Sequence, residues 1–180
     1  YALARIYLSE NKADKAIAQY QSALEANPKQ PGAHMLLAII YESQKDTENS
    51  EKHYRAALEI NPDFAPAANN LAYTLADKDK DIDEALQLAR LAKEKLPGDP
   101  NVMDTLGWVY YKKGLFDSAI GEFSDSLTKL GDNPVVNYHL GMAYYKKGDT
   151  ARARDQLEKA LSLKPDFPGA EEARQVLSEL

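Results

Sequence analysis

The stretch Ala57–Pro62 has the sequence ALEINP, and close copies occur at Ala23–Pro28 (ALEANP) and Ala160–Pro165 (ALSLKP). A proline lacks the N–H that would continue a helix and restricts the residue before it, so each copy marks the end of a helix. The prolines at this phase are separated by 34, 35 and 68 residues, the last interval being two periods: Pro28, Pro62, Pro97 and Pro165. A helical period of about 34 residues predicts stacked helical hairpins.

Each period contains two helical patterns. The first helix has a leucine and a small residue followed by an aromatic residue, as in Leu140–Tyr144 (LGMAY). The second helix has a small-aromatic-small stripe at spacings of four and three, as in Ala119, Phe123 and Ser126. These spacings put each set on one helix face, and the small residues let a partner helix approach closely. The patterns indicate packing rather than chemistry.

The turns carry matching signals at the same phase of the period. Gly114 and Gly148 each follow a pair of lysines, which predicts a left-handed C-terminal cap with cations near the helix end. Aspartates stand where second helices should begin and are expected to be N-caps: Asp46, Asp81 and Asp149. Asp81 with Glu84 also fits a capping box.

These signals predict an all-α protein, a right-handed α-solenoid of stacked antiparallel helix hairpins with a C-terminal capping helix. The expected repeats are 1–30 (partial), 31–64, 65–99, 100–133 and 134–167, followed by a capping helix within 168–180. The expected helices are 1–10, 13–26, 31–44, 47–60, 65–78, 82–95, 100–113, 116–129, 134–147, 150–163 and 168–179. Since Tyr1 falls inside a predicted helix without a cap, we expect the chain to be a fragment of a longer protein.

These residues resemble the tetratricopeptide repeat family over almost the whole chain. The resemblance implies a scaffold whose first helices line a concave groove. An extra residue in the turn Asp77–Asp81, and Gly131 in place of the closing proline, depart from the repeat and are expected to alter the local pitch only. A second resemblance, carried by Asn69–Tyr73 and Asp104–Trp108, is to C-terminal arrays of bacterial multi-repeat proteins linked to exopolysaccharide or cell-surface assembly.

Composition narrows the function classes. The 180 residues include 22 Lys and Arg against 28 Asp and Glu, a net charge of −6. Nucleic-acid binding needs a clustered basic surface, so no nucleic-acid partner is expected. The absence of cysteine excludes disulfides and cysteine-based metal sites. No apolar run approaches the roughly 20 residues of a membrane span, so no direct membrane insertion is expected.

The groove is the expected site of function. At i, i+4, i+7 spacing, each first helix presents a second stripe that is distinct from its packing phrase. The candidate partner-binding residues are Met35, Ile39, Asn69, Asn70, Tyr73, Asp104, Thr105, Trp108, Tyr111, Tyr138, His139, Met142 and Tyr145. Aromatic anchors beside hydrogen-bonding groups can hold a peptide. Alternatively, Tyr73, Trp108 and Tyr111 fill the seam between adjacent first helices.

Other chemistries fit the sequence poorly. A carboxylate clamp, one binding mode of the resembled family, is not expected because an anionic tail would meet Asp104. The triplet Asp77, Asp79 and Asp81 lacks the glycine of a calcium loop, since Ile82 stands in its place. The three histidines, His34, His53 and His139, fall at unrelated phases of the repeat. We therefore expect no catalytic residues, metal or cofactor.

The predicted function is a non-catalytic protein–protein interaction scaffold that binds a peptide or protein segment in its groove. Two alternatives stay open at this point. One is a self-assembling module, with homo-oligomers forming through the uncapped N-terminal repeat. The other is the recruiting arm of a larger enzyme or assembly complex.

Overall fold

The computed structural model describes residues 12–180, so the predicted first helix over 1–10 lies outside the described residues. Over residues 12–180 all of the regular secondary structure is helical, with short turns between the helices. Its helices are α1 (Ala13–Ala26), α2 (Pro31–Ser43), α3 (Thr47–Ile60), α4 (Ala65–Asp77), α5 (Ile82–Lys95), α6 (Pro100–Lys112), α7 (Phe116–Leu130), α8 (Pro134–Lys147), α9 (Thr150–Leu163) and α10 (Ala170–Glu179). The predicted bounds of α1 to α9 agree within one residue, and α10 begins two residues later than expected.

The helices pair in sequence order. Four hairpins are formed by α2 with α3, α4 with α5, α6 with α7, and α8 with α9, and each stacks on the next. First helices also contact one another directly, α4 with α6 and α6 with α8. The last helix, α10, packs on α9 and reaches α8. This is the predicted α-solenoid with its C-terminal cap.

Close approach within a hairpin explains the small residues in the sequence pattern. A Cβ atom placed on Gly107 would lie 2.6 Å from Cε1 of Phe123, whose side chain is fully buried. In the next hairpin, a Cβ on Gly141 would lie 2.8 Å from Cγ of Leu157. Each glycine therefore makes room for the large residue of the facing stripe, as the packing interpretation requires.

The predicted caps are present. Gly114 and Gly148 have φ of 76° and 83°, the left-handed conformation that glycine adopts without a Cβ penalty. The N-capping carboxylates accept hydrogen bonds from backbone N–H groups three residues on, at 3.1 Å for Asp46, 3.0 Å for Asp81 and 3.2 Å for Asp149. These local bonds fix where the second helices start.

One predicted detail was wrong. The Glu84 side chain does not complete the capping box on Asp81. It instead accepts hydrogen bonds from Nη1 and Nη2 of Arg55, at 2.5 and 2.8 Å. Arg55 belongs to the preceding repeat, so the carboxylate gains a charged partner across the repeat boundary, which is a stronger interaction than a backbone N–H supplies.

Ion pairs of this inter-repeat kind recur along the stack. Lys80 Nζ lies 2.9 Å from Glu51 Oε2, and Lys112 Nζ lies 2.9 Å from Asp79 Oδ1. Lys113 with Asp83, and Lys147 with Asp117, form similar pairs. The partners are 29 to 33 positions apart, which is about one repeat. Each exposed pair contributes little alone, so the hydrophobic packing carries most of the stacking energy.

Candidate binding groove

The predicted groove residues lie on α2, α4, α6 and α8, but they differ in exposure. Ile39 is 39% exposed. Those that are partly exposed are Met35, Asn69, Asn70, Tyr73, Asp104, Tyr111 and Tyr145. Those that are buried are Thr105, Trp108, Tyr138, His139 and Met142. The first two sets are accessible to solvent, whereas the buried set lies behind them.

Trp108 lies in the seam between α6 and α8. Its ring stacks on Tyr111 with 4.9 Å between ring centroids and on His139 with 4.3 Å. Only 7% of Trp108 is exposed. The seam interpretation therefore describes most of its contacts, although Trp108 also contributes to the lining of the cavity described below.

His139 is an interior residue rather than a residue of the groove edge. Its Nδ1 lies 2.8 Å from Oδ1 of Asp104, and the residue is 2% exposed. The rings of Phe123 and Tyr138 lie 5.5 Å from it by centroid. Because Asp104 bonds this imidazole, one of its carboxylate oxygens is already engaged within the array.

The two asparagines belong to a polar network between α2 and α4. Asn70 Nδ2 donates to Tyr54 Oη at 3.3 Å, and Tyr54 Oη donates to Glu42 Oε2 at 3.0 Å. Thr74 Oγ1 donates to the other oxygen of Glu42 at 3.2 Å. Asn69 joins through a 3.3 Å bond to Asn70. Glu42 lies at the centre of this network. In the sequence it occupies the i+7 position of the stripe that contains Met35 and Ile39, and this position is the signal that could have identified it.

A cavity of about 330 Å³ opens between α4, α6, α8 and the turn before α10. We call it the tyrosine pocket. Its lining residues are Tyr73, Asp77, Trp108, Tyr111, Lys112, Tyr138, His139, Pro168, Gly169 and Glu172. It thus brings five of the predicted groove residues together and adds a wall from the capping segment that sequence reasoning missed.

The capping segment fits tightly against Tyr138. Gly169 has φ of 98°, and a Cβ placed on it would lie 2.5 Å from Cε1 of the Tyr138 ring. The Tyr138 hydroxyl donates to Oε2 of Glu172 at 2.6 Å. A glycine at this turn therefore lets α10 place a carboxylate at the mouth of the pocket.

The tyrosines of the pocket are held neutral. Burial, and then the negative charge of Glu172, raise the pKa of Tyr111 to about 12. Burial also raises the pKa of Tyr73, with added effects from Asp77 and Asp104. For Tyr138 the main cause of a raised pKa is again burial, followed by its bond to Glu172. In all three tyrosines nearby carboxylates add to the effect of burial, because a negative charge disfavours the phenolate.

A second cavity adjoins the first. It has a volume of about 370 Å³ and shares Tyr73 and Asp77 with the tyrosine pocket. The rest of its lining comes from the α2–α3 hairpin and the end of α4: Glu42, Lys45, Thr47, Ser50, Thr74 and Lys78. The two cavities together extend the groove from the second repeat to the capping helix.

Two of the three histidines meet in the structure, although they fall at unrelated phases of the repeat. His34 on α2 and His53 on α3 meet across the hairpin, with 2.9 Å between their Nδ1 atoms. Tyr41 stacks on His53 with 5.6 Å between ring centroids. Among residues 12–180, no cluster of three or more potential metal-ligating side chains is present. Nor does any helix in that range have the length and apolarity needed to cross a bilayer.

Family comparison accounts for this architecture. Models of the tetratricopeptide repeat match residues 1–65, 53–87 and 134–167, which together make up more than half of the sequence. The chain belongs to the tetratricopeptide repeat family. The tetratricopeptide repeat-containing protein PA4667 of Pseudomonas aeruginosa is 35% identical over 71 residues. That match covers 39% of this chain and 12% of the relative, so the chain corresponds to a small part of that protein.

Solved tetratricopeptide structures share the fold over nearly the full chain. PilW, described as a widely conserved type IV pilus biogenesis factor, has a TM-score of 0.80 at 22% identity, covering 99% of this chain and 87% of PilW. Pseudomonas aeruginosa PilF has a TM-score of 0.76 at 22% identity, with 99% and 85% covered. YrrB, a tetratricopeptide repeat protein with an unusual peptide-binding site, has a TM-score of 0.72 at 22% identity, with 96% and 88% covered. The resemblance to exopolysaccharide-linked arrays stays a prediction.

Proposed function

We propose that this tetratricopeptide array is a non-catalytic protein–protein interaction scaffold that binds a peptide or protein segment in its groove. The observation that supports this most directly is the tyrosine pocket, where aromatic side chains from three successive first helices line one cavity. Aromatic side chains beside hydrogen-bonding and charged groups form the kind of surface that can hold a peptide. YrrB, which has the same fold, is described as having a peptide-binding site.

The pocket is pre-organised for binding. Trp108 is fixed between Tyr111 and His139, and Tyr138 is fixed by Glu172 and by the turn at Gly169. Side chains already held by their neighbours lose little conformational freedom when a ligand arrives. Most of the conformational entropy lost on binding would therefore come from the bound segment.

The proposed contact residues follow from exposure. Tyr73 and Tyr111 are the partly exposed aromatic residues of the pocket, and Met35, Ile39 and Tyr145 extend the accessible surface along the stack. Thr105 and Met142 are buried and line neither cavity, and His139, which borders the tyrosine pocket, is only 2% exposed. Their role in the proposal is to support the residues in front of them.

Selection from a random peptide library, followed by calorimetry on the enriched peptides, tests this proposal. We expect Tyr73→Ala and Tyr111→Ala each to weaken binding by about tenfold or more, as the loss of an aromatic anchor does. Gln87→Ala, on the exposed side of α5, is the matched control and should bind normally. Failure to enrich any peptide, or binding that only the control variant impairs, would overturn the proposal.

A further inference from the structure

We propose that the tyrosine pocket binds the guanidinium group of an arginine in a basic segment of the partner. This inference rests on the proposed function, because the arginine would belong to the segment held in the groove. It follows from three properties of the pocket, namely its aromatic walls, its carboxylates and its existing cation.

The walls suit a flat cation. Tyr73 on α4 and Tyr111 on α6 are the partly exposed rings of the cavity, and the buried Trp108 and Tyr138 rings complete its lining. A guanidinium is planar and weakly hydrated, and it stacks on aromatic faces more favourably than an ammonium does. The neutral phenol groups add oxygen acceptors for its N–H donors.

Two carboxylates contribute negative charge to the pocket. Asp77 at the end of α4 and Glu172 on α10 both line the cavity. Oε2 of Glu172 accepts the hydrogen bond from the Tyr138 hydroxyl. Within residues 12–180, no donor is hydrogen-bonded to Oε1 of Glu172. Asp77 has an exposed partner, Lys78, at 3.5 Å. A carboxylate with a free oxygen can accept a charge-assisted hydrogen bond from a guanidinium.

The pocket already holds one cation at its edge. Lys112 Nζ lies 5.3 Å from the centroid of the Trp108 ring and 2.9 Å from Asp79 Oδ1. Asp79 pairs with this lysine, so the cavity is lined by two carboxylates and one ammonium that already has an acidic partner. Its contact with the Trp108 ring is a cation–π interaction, the same kind of contact that we propose for the guanidinium.

Charge complementarity therefore selects the occupant. An acidic tail would meet the negative charges of Asp77 and Glu172, and an apolar side chain would offer no donor to Oε1 of Glu172. A lysine would balance the negative charge, but its ammonium group lacks the planar guanidinium that can stack on a ring and bond a carboxylate at the same time. Arginine supplies both a positive charge for the carboxylates and a planar group for the aromatic rings.

The experiment starts from the enriched library peptides. We expect arginine to be over-represented among them, and replacement of that arginine by citrulline, its neutral isostere, to weaken binding by about tenfold or more. Glu172→Gln keeps an acceptor for Tyr138 and removes the charge, so it should reduce affinity for the arginine peptide and leave affinity for the citrulline peptide unchanged. Glu158→Gln, on exposed α9, is the matched control.

The emission of Trp108, the single tryptophan of the chain, reports whether the arginine peptide occupies the pocket. Enriched peptides without an arginine preference would overturn this inference and leave the scaffold proposal intact. An arginine peptide that binds without changing Trp108 emission, or equally well to Glu172→Gln, would do the same. No enrichment at all would overturn both.

Discussion

The Nδ1 atom of His139 lies 2.8 Å from the Oδ1 atom of Asp104, and the two residues belong to first helices of adjacent repeats. The imidazole also stacks on Trp108 of the same α6 helix. These three residues connect α6 to α8 at the wall of the tyrosine pocket, which Trp108 and His139 help to line. The stability of the stack and the shape of the pocket therefore depend on the same contacts.

Removing the Asp104 carboxylate should destabilise the stack. Asp104→Ala leaves a buried imidazole without its partner, which is expected to lower the free energy of unfolding by about 1–3 kcal/mol. Asp104→Asn retains an acceptor oxygen and should cost less. Urea denaturation followed by circular dichroism measures both, and equal losses in the two variants would contradict a specific hydrogen bond.

Trp108→Ala separates packing from ligand contact. Truncation of a buried tryptophan is expected to lower the free energy of unfolding by about 3–5 kcal/mol. Tyr111→Ala should cost less, because Tyr111 is only half-buried. Thermal melts of the two variants provide the comparison. If Trp108→Ala melts like the unmodified protein, the tryptophan is not a seam residue.

Gly107→Ala should destabilise the fourth repeat even though alanine favours helices. The added methyl would lie 2.6 Å from the ring of Phe123, and overpacking of this kind costs about 1–3 kcal/mol. Gly121→Ala on α7 is the matched control, since no atom lies within 4 Å of its added Cβ. The control should gain about 0.5–1 kcal/mol from helix propensity alone. Denaturation midpoints that move in the same direction would refute the close-approach argument.

Acid should weaken the second repeat through the histidine pair. Burial, then the charges of His34 and Lys52, lower the pKa of His53 from 6.5 to about 4. Burial also lowers the pKa of His34, although the Pro28 backbone and Glu59 oppose that shift. Because the unfolded state then binds more protons between pH 6.5 and about 4, the free energy of unfolding falls as the pH drops through this window.

The slope due to one histidine is at most about 1.4 kcal/mol per pH unit and is reduced here by solvent screening, since His53 is half-exposed. Melting temperatures recorded over this pH range should fall less steeply for His53→Gln than for the unmodified protein. Parallel curves for the two proteins would show that His53 is not the group responsible.

The helices could be predicted closely because their limits depend on local chemistry. Pro62 ends its helix whatever surrounds it, and Asp149 bonds an N–H three residues away. The groove was harder to predict because its surface depends on how far each side chain extends between repeats. His139 occupies a groove position on the helix wheel, but the neighbouring Asp104 and Trp108 enclose it.

Contacts across helices were missed for the same reason. His34 and His53 are 19 positions apart, and only the angle between α2 and α3 brings their rings together. Glu172 lies within the predicted capping helix, and the turn at Gly169 directs its carboxylate to Tyr138. Neither relationship leaves a periodic trace in the sequence, since each depends on the direction of a connecting turn.

The position of Glu172 on α10 limits how such an array can grow. Duplication of the α2–α3 hairpin would lengthen the stack and leave the tyrosine pocket intact, because that hairpin contributes no residue to its lining. A hairpin inserted between α9 and α10 would carry Gly169 and Glu172 away from Tyr138. The final repeat and its cap therefore form one inheritable module, which evolution or an engineer would have to move as a unit.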